Sequence, residues 1–149
     1  MARIIIDVSA AGAEWIKDVL PGLVSCKNVI FVYSSHTKYR DEVFSNRNLA
    51  QLFKLMKEKK RRDDTDPEIC ERLISDLNKL QSWKSEGSCD DPHIFAMAYQ
   101  KPSAFVFTAD KRMVKCKGCM KQHIDKKFRS FSTIQSRSNF DTNEHKIKA

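Results

Sequence analysis

Three apolar runs divide this chain and are typical of strands buried in a parallel sheet. They cover residues 3–8, 28–34 and 104–108, and each is rich in β-branched or aromatic side chains. None of them alternates polar with apolar positions, which is the pattern expected of a strand covered on both faces. A further run at residues 128–134 is consistent with one last strand.

Helical periodicity fills the segments between the first runs. Residues 13–20 predict a short helix that Pro21 and Gly22 end, and residues 37–60 predict one long helix. The apolar residues of the long segment fall at spacings that share one helical face, namely Val43, Leu49, Leu52, Phe53 and Met56.

Two Asp-Pro pairs mark further helix starts. In Asp66-Pro67 and in Asp91-Pro92, an aspartate stands directly before a proline. Aspartate is a common N-cap residue, and proline is favoured at the first position of a helix. The first of these helices is expected to end near Trp83, before Gly87. A basic helix is predicted from Lys111 to about Met120.

The order of these elements predicts the fold. Strands alternate with helices, and uniformly apolar strands form a parallel sheet with helices on both faces. We therefore expect an α/β domain with three α/β/α layers around a central, mostly parallel sheet, spanning residues 1–134. Residues 135–149 are polar and basic and are expected to form a flexible tail. In such sheets, ligands bind at the carboxyl ends of the strands.

Length and charge narrow the class of protein. The chain has 149 residues, the size of one domain, and carries 27 Lys and Arg against 19 Asp and Glu, a formal net charge of +8. Such a surplus favours an anionic partner, of which nucleic acid is the commonest, although many basic proteins bind none. No apolar run approaches the roughly 20 residues that span a bilayer. Since Asp7 also interrupts the N-terminal apolar run, we expect a cytoplasmic protein without a membrane segment.

The cysteines leave two interpretations open. There are five, an odd number, and in a cytoplasmic chain this predicts reduced thiols rather than a disulfide framework. Two of them, Cys116 and Cys119, are followed by His123 and have half of the spacing of a zinc site. Because no second Cys-x-x-Cys pair completes such a site, two free thiols around Gly118 are favoured. The other cysteines are Cys26, Cys70 and Cys89.

The candidate chemistry lies in three separated aspartates. Asp7 ends the first strand, Asp110 follows the third strand, and Asp91 opens the helix before that strand. All three are expected at one edge of the sheet, where carboxylates repel each other unless a cation neutralises them. Hard cations such as Mg2+ or Mn2+ prefer oxygen ligands of this kind. Asp91 and Asp110 could instead be only helix caps, whereas a charge at the end of a buried strand, such as Asp7, needs a partner.

Three sequence blocks around these aspartates resemble the PIN domain family. The blocks are residues 4–9 (Ile-Ile-Ile-Asp-Val-Ser), 90–98 (Asp-Asp-Pro-His-Ile-Phe-Ala-Met-Ala) and 105–113 (Phe-Val-Phe-Thr-Ala-Asp-Lys-Arg-Met). PIN domains are metal-dependent nucleases, chiefly endoribonucleases of single-stranded RNA, and many are the toxin of a bacterial toxin–antitoxin pair. The resemblance implies Mg2+ or Mn2+ as cofactor and RNA as substrate. It also implies an antitoxin, another regulatory protein or a second copy of the chain as partner.

One position departs from the family pattern. PIN domains usually place a Glu early in the helix after the second strand, where this chain has Lys38. Glu42 lies one helical turn further on the same face and supplies the carboxylate if the register is shifted. The expected catalytic and metal-binding residues are then Asp7, Glu42, Asp91 and Asp110. If Lys38 instead pairs with the aspartates and replaces the metal, the chain is a weak nuclease or a module that binds RNA or a partner protein.

Basic residues next to the acids are the expected contacts for RNA. Lys111, Arg112 and Lys115 follow Asp110 in the chain, and a basic helix beside an acidic site can hold a nucleic-acid backbone. The other candidates for RNA contact are Lys38 and His93. A solvated charged face is the alternative for the basic helix, and a structural role is the alternative for His93.

Overall fold

Five parallel strands form the central sheet in the computed structural model of the chain. In chain order they are β1 (Ala2–Ile6), β2 (Val29–Ser34), β3 (Arg62–Thr65), β4 (Phe105–Phe107) and β5 (Ser132–Ile134). Their order across the sheet is β3-β2-β1-β4-β5, so β1 lies in the middle, with Ile4 opposite Phe31 of β2 and Phe105 of β4. The structure describes residues 1–80, 83, 89–119 and 125–149, and of Cys119 only the backbone.

Helices cover both faces of this sheet. The described α-helices, in chain order, are α1 (Glu14–Ser25), α2 (Thr37–Phe44), α3 (Arg47–Glu58), α4 (Pro67–Asn78), α5 (Pro92–Gln100), α6 (Arg112–Cys119) and α7 (Arg137–Ile147). Two short 3-10 helices lie at Val8–Ala10 and Lys126–Arg129. Successive strand residues point to opposite faces, yet Ile4, Ile5 and Ile6 are all fully buried. The predicted α/β fold, with a parallel sheet at the centre of three α/β/α layers, is confirmed.

The strand order creates a crevice at one point of the sheet edge. From β1 the chain moves outward to β2 and β3 on one side, then returns to β4 and moves outward to β5 on the other. In sheets of this topology, ligands bind outside the carboxyl ends of the two strands between which the winding direction reverses. Here those strands are β1, which is followed by Asp7, and β4, which is followed by Thr108, Ala109 and Asp110.

The first helix is longer than predicted. α1 passes through Pro21, and Leu23 beyond the proline is fully buried. At the end of the helix, the Arg61 guanidinium donates hydrogen bonds to the carbonyl oxygens of Leu23 (2.9 Å) and Val24 (2.5 Å). A cation at a helix C-terminus also interacts favourably with the helix dipole. The burial of Leu23 and the bonds from Arg61 offset the backbone hydrogen bond that a proline cannot donate.

The prediction of one long helix over residues 37–60 is wrong, because the chain breaks the helix at Asn46. The Asn46 side chain accepts a hydrogen bond from the backbone N–H of Leu49 (3.1 Å) and starts α3 as a new helix. Both α2 and α3 bury apolar residues at helical spacing. Periodicity alone therefore gave no signal of the break.

Strand β3 was missed in the sequence because it consists of Arg62, Asp63, Asp64 and Thr65. Among the described strands it pairs only with β2 and lies at the edge of the sheet, where charged residues are common. The Asp63 carboxylate accepts hydrogen bonds from Arg3 of β1 (2.8 Å) and from Lys101 (2.9 Å). Besides the pairing with β2, ion pairs rather than buried apolar side chains thus attach β3 to the rest of the domain, and the strand has no apolar pattern by which the sequence could identify it.

The prediction of a flexible tail over residues 135–149 is wrong. Most of this segment forms α7, in which Phe140 and Ile147 are buried. The Phe140 ring packs against Phe107 of β4, with ring centroids 6.1 Å apart. The domain therefore extends through α7. Two apolar residues two turns apart dock this helix, but they are too sparse among polar neighbours to indicate it.

The sequence also predicted where two helices end, namely α4 and the basic helix α6. α4 ends at Asn78, before the predicted end near Trp83, whereas Gly87 lies outside the described residues. The predicted end of the basic helix at Met120 also lies outside them. No helix in the described part of the chain is long and apolar enough to cross a membrane.

We expect Asp63→Asn to lower the free energy of unfolding at neutral pH by about 1 kcal/mol, because it removes both ion pairs of the Asp63 carboxylate. Burial raises the pKa of Asp63, but the hydrogen bonds and charges of Lys101 and Arg3 lower it by more, so that the net pKa lies below the usual value. An acid with a lowered folded pKa stabilises the fold above its unfolded pKa of about 3.9 and loses this effect as the pH falls through the folded value. Urea unfolding at neutral pH and at about pH 3 measures the difference.

Asp18→Asn is the control for this prediction, since Asp18 is exposed on α1 and, within the described chain, acts on Arg137 through its charge without an ion-pair contact. It should leave the free energy of unfolding nearly unchanged at both pH values. A loss of stability in Asp63→Asn that stays the same at low pH would show that the ion pairs are not its cause.

Candidate functional site

A pocket of about 380 Å3 lies outside the carboxyl ends of β1 and β4. All four acids predicted from the sequence line it, together with a further aspartate and an arginine: Asp7, Glu42, Asp90, Asp91, Asp110 and Arg112. The acids come from four separate segments of the chain. The topology of the sheet therefore brings the sequence-predicted carboxylates together at the point where a doubly wound sheet binds its ligand.

The Asp7 carboxylate is buried and is held by two hydroxyl groups. Its Oδ2 atom accepts hydrogen bonds from Thr108 Oγ1 (2.6 Å) and from Ser9 Oγ (2.8 Å). The backbone N–H of Asp7 donates to the carbonyl oxygen of Phe107 (2.9 Å), which continues the β1–β4 pairing by one residue. These bonds fix the side chain in the lining of the pocket, but they come from hydroxyl groups, and no cationic side chain among the described residues pairs with the Asp7 carboxylate.

The Asp91 side chain does not cap the helix that it precedes. It makes no capping hydrogen bond in the described chain, whereas Asp66, which also precedes a proline at a helix start, accepts hydrogen bonds from the N–H groups of Glu68 (2.9 Å) and Ile69 (3.2 Å). Burial, followed by the negative charge of Asp7, raises the pKa of Asp91 to about 6. The interpretation of Asp91 as only a helix cap is therefore wrong, and its carboxylate faces other acids instead.

Asp110 pairs with Arg112. Its carboxylate accepts hydrogen bonds from the Arg112 backbone N–H (2.9 Å) and from the guanidinium through Nε (3.0 Å) and Nη2 (3.1 Å). Burial raises the pKa of Asp110, but the bonds and charge of Arg112 lower it by more, so the net pKa is below the usual value. The same guanidinium contacts Asp90 Oδ2 at 3.2 Å. Arg112, expected to contact RNA, thus points at the acids in this structure.

Glu42 approaches a buried histidine. Its Oε2 atom lies 3.3 Å from His93 Nε2, without the alignment of a hydrogen bond, and this contact lowers the pKa of the Glu42 carboxyl. The His93 side chain is 1% exposed, and neither ring nitrogen has a hydrogen-bond partner among the described residues. Asp41, the neighbouring acid on α2, is exposed and contacts Arg40 instead. The structure therefore brings Glu42, and not Asp41, to the pocket.

Lys38 does not take the place of a metal among the aspartates. Its Nζ atom donates a hydrogen bond to the backbone carbonyl oxygen of Asp90 (2.8 Å), and it forms no ion pair with an acid in the described chain. Its positive charge still contributes to the lowered pKa of Glu42 and opposes part of the rise in the pKa of Asp91. Lys111 and Lys115 are exposed beyond Asp110.

Two overlapping sets of side chains have donor atoms close enough to hold a metal ion. The donor atoms of Glu42, Asp91 and His93 lie within 4.8 Å of one another, and so do those of Asp90, Asp91 and Asp110. The sequence did not predict Asp90 as a candidate metal ligand, and its position next to Asp91 was the one indication of such a role. Converging carboxylates and a buried imidazole without a hydrogen-bond partner are a donor set that fits a divalent cation.

The cysteines differ from the sequence prediction. Cys89 and Cys116 form a disulfide, with Cα atoms 5.5 Å apart, so the prediction of reduced thiols is wrong for this pair. The disulfide also occupies one of the thiols of the half zinc site. The Cys119 side chain and His123 lie outside the described residues. Because 27 residues separate the two partners, only the fold brings them together, and it links the segment next to Asp90 to α6.

No family model, curated protein sequence or solved structure matches this chain. The resemblance to PIN domains accordingly rests on the three sequence blocks. What the structure adds to them is the parallel sheet and the positions of the acids around one pocket.

We expect Asp91→Ala and Asp66→Ala to change stability in different ways, although both residues precede a proline at a helix start. Loss of the Asp66 cap should lower the free energy of unfolding by about 1 kcal/mol. Asp91→Ala removes no capping bond and relieves repulsion from Asp7, so the free energy of unfolding should stay the same or rise. Urea unfolding at neutral pH with a chelator present measures both.

Asp91→Asn separates charge from shape in the same experiment, because the amide keeps the size of the side chain and removes its charge. It should match or exceed the wild-type stability. If Asp91→Ala lowers the free energy of unfolding as much as Asp66→Ala does, the Asp91 side chain is a structural cap in solution.

Proposed function

We propose that this protein is a divalent-metal-dependent endoribonuclease with a PIN-like site. The observation that carries the proposal is the convergence of Asp7, Glu42, Asp91 and Asp110 on one pocket at the crevice of the sheet. Such a concentration of carboxylates is unfavourable in an empty protein, as the raised pKa of Asp91 indicates. Function, rather than stability, is the usual reason for an arrangement of this kind.

The four acids would hold Mg2+ or Mn2+, each through carboxylate oxygens. The bound metal would supply a Lewis acid that activates a water molecule and neutralises charge on a phosphodiester. Ser9 and Thr108 orient the Asp7 carboxylate through their hydroxyl groups. Since Oδ2 of Asp7 takes both of these bonds, Oδ1 is the oxygen that is more available for a ligand.

RNA is the proposed substrate because the chain combines this acidic pocket with a net charge of +8. Lys38, Lys111 and Lys115 are exposed near the acids and are the proposed contacts to phosphates on either side of the cleaved bond. Arg112 would join them once a cation replaces its guanidinium at Asp110. Single-stranded RNA fits best, since a flexible strand can bring one phosphate into a pocket of about 380 Å3.

We expect Asp7→Asn and Glu42→Gln each to lower metal-dependent cleavage of a single-stranded RNA oligonucleotide by at least about 100-fold. Loss of a residue that only supports a metal ligand costs 10–100-fold in metal affinity or activity, so loss of a ligand should cost at least as much. The rate of cleavage in Mn2+ and in Mg2+, followed on a labelled oligonucleotide, measures the effect.

Asp41→Asn is the matched control, because Asp41 precedes Glu42 on α2 but is exposed and contacts Arg40. It should cleave at the wild-type rate. Wild-type protein that shows no cleavage above a chelated sample, or cleavage that Asp7→Asn and Glu42→Gln leave intact, would contradict the proposal.

The position of Arg112 favours a second candidate function, a module that binds RNA or a partner protein without cutting RNA. Its guanidinium bridges Asp110 and Asp90 and so neutralises part of the pocket without a metal. In that case RNA binding would be the same with a chelator as with Mn2+, and it would weaken steeply with salt.

Lys38→Glu separates the two candidates. If Glu42 already supplies the fourth carboxylate, a new acid at position 38 adds repulsion near Asp90 and Asp91, and we expect unchanged or slower cleavage. A gain of cleavage in Lys38→Glu would instead show that the wild-type site lacks an acid. Cleavage assays on the two proteins side by side give the answer.

The partners and the location of the protein remain part of this proposal. The family resemblance suggests an antitoxin or another regulatory protein, or a second copy of the chain, as partner. We propose that the protein acts in the cytoplasm, where its RNA substrate is found. A disulfide such as Cys89–Cys116 in that compartment is usually a redox-sensing one.

A further inference from the structure

We propose that His93 is a nitrogen ligand of the metal and that the centre therefore selects Mn2+ over Mg2+. This inference rests on the proposed metal-dependent function and specifies the chemistry of that same site. The sequence suggested His93 as a contact for RNA, with a structural role as the alternative. At 1% exposure its side chain is too buried for such a contact.

The buried His93 ring makes an incomplete set of polar contacts with the described residues, since Nε2 lies 3.3 Å from Glu42 Oε2 without the geometry of a hydrogen bond. Neither ring nitrogen has a hydrogen-bond partner among the described residues. Leaving a buried polar atom without a partner is unfavourable. The ring also packs against Tyr39, with ring centroids 6.2 Å apart, and this contact gives neither nitrogen a hydrogen bond. A ligand on Nε2 would satisfy the atom that faces Glu42.

The surroundings of Nε2 are those of a mixed site. The donor atoms of His93, Glu42 and Asp91 lie within 4.8 Å of one another, about twice the length of a metal–ligand bond. Glu42 comes from α2, whereas Asp91 and His93 stand at the start of α5. Two separate helices thus present two carboxylates and one imidazole to the same point.

The ligand set decides which cation the site prefers. An all-oxygen site suits Mg2+, Ca2+ and Mn2+, whereas imidazole suits transition metals. Mn2+ accepts carboxylate oxygens and, as a transition metal, also imidazole, so a site with one imidazole and several carboxylates should bind Mn2+ more tightly than Mg2+. The competing explanation is a plain ion pair between His93 and Glu42, which would bind no metal and would give neither ion an advantage.

Electron paramagnetic resonance of added Mn2+ tests the assignment without any assay of activity. The signal of free Mn2+ gives the affinity, and pulsed measurements detect nitrogen that is directly coordinated to the ion. We expect wild-type protein to bind Mn2+ with a nitrogen coupling. His93→Gln should lose that coupling and bind Mn2+ at least about tenfold more weakly.

Two further variants complete the design. His36→Gln is the matched control, since His36 also contacts a carboxylate, Glu71 at 2.5 Å, and also has a buried ring nitrogen without a hydrogen-bond partner among the described residues. Unlike His93, it belongs to neither set of converging donor atoms. It should keep the nitrogen coupling and the affinity. His93→Asp restores an oxygen donor and should bind Mn2+ without nitrogen coupling and with a smaller preference over Mg2+.

The proposal stays testable even if substitution of the buried His93 impairs folding, because wild-type protein that binds Mn2+ without nitrogen coupling is enough to overturn it. Mn2+ bound in the pocket without nitrogen coupling overturns the role of His93, and the proposed nuclease stands if cleavage still needs Mn2+. Nitrogen coupling that survives in His93→Gln overturns it as well. Absence of Mn2+ binding overturns this inference and the proposed function together.

Discussion

Parallel pairing between β1 and β4 brings the ends of two distant segments into contact. The pairing sets Ile6 opposite Phe107, and one residue further Asp7 donates its backbone N–H to Phe107 and accepts a hydrogen bond from the Thr108 hydroxyl at 2.6 Å. Because Asp110 follows Thr108 by two residues, the same pairing carries Asp110 to the pocket. The position of the acids is thus a consequence of the sheet register, and a shift of one residue would turn Asp7 to the other face.

The chain places its charges in two contrasting ways. At β3, Asp63 lies between Arg3 and Lys101, so its charge is compensated and supports the fold. At the pocket, the negative charge of Asp7 opposes that of Asp91, and Arg112 and Lys38 compensate the acids only at the rim. A cation in the pocket would complete the compensation. This contrast with a structural charge cluster supports the proposal that the pocket binds a cation.

Much of the fold followed from the sequence because buried parallel strands are uniformly apolar. The runs around Ile5, Val32 and Val106 identified the three central strands, and the family resemblance pointed to the same acids that the topology brings together. The predictions failed where tertiary contacts replace local pattern. Strand β3 is held by ion pairs, α1 continues through Pro21, and α7 is docked by only two apolar residues. No local pattern could show these contacts.

The site was predictable in outline and not in detail for the same reason. Spacing alone left Lys38 and Glu42 as alternatives, since one helical turn separates them and both share a face. The contact between Glu42 and His93 and the hydrogen bond from Lys38 to the Asp90 carbonyl join residues that are far apart in the sequence, so the fold and not the local sequence determines them. The same holds for the Cys89–Cys116 disulfide.

A crystal of the protein grown with MnCl2 and measured near the manganese absorption edge is the most direct test of a metal centre in this pocket. An anomalous difference peak is expected among the carboxylates of Asp7, Glu42, Asp91 and Asp110, with the Arg112 guanidinium displaced from Asp110. An empty pocket at saturating Mn2+, with Arg112 still bonded to Asp110, would contradict it.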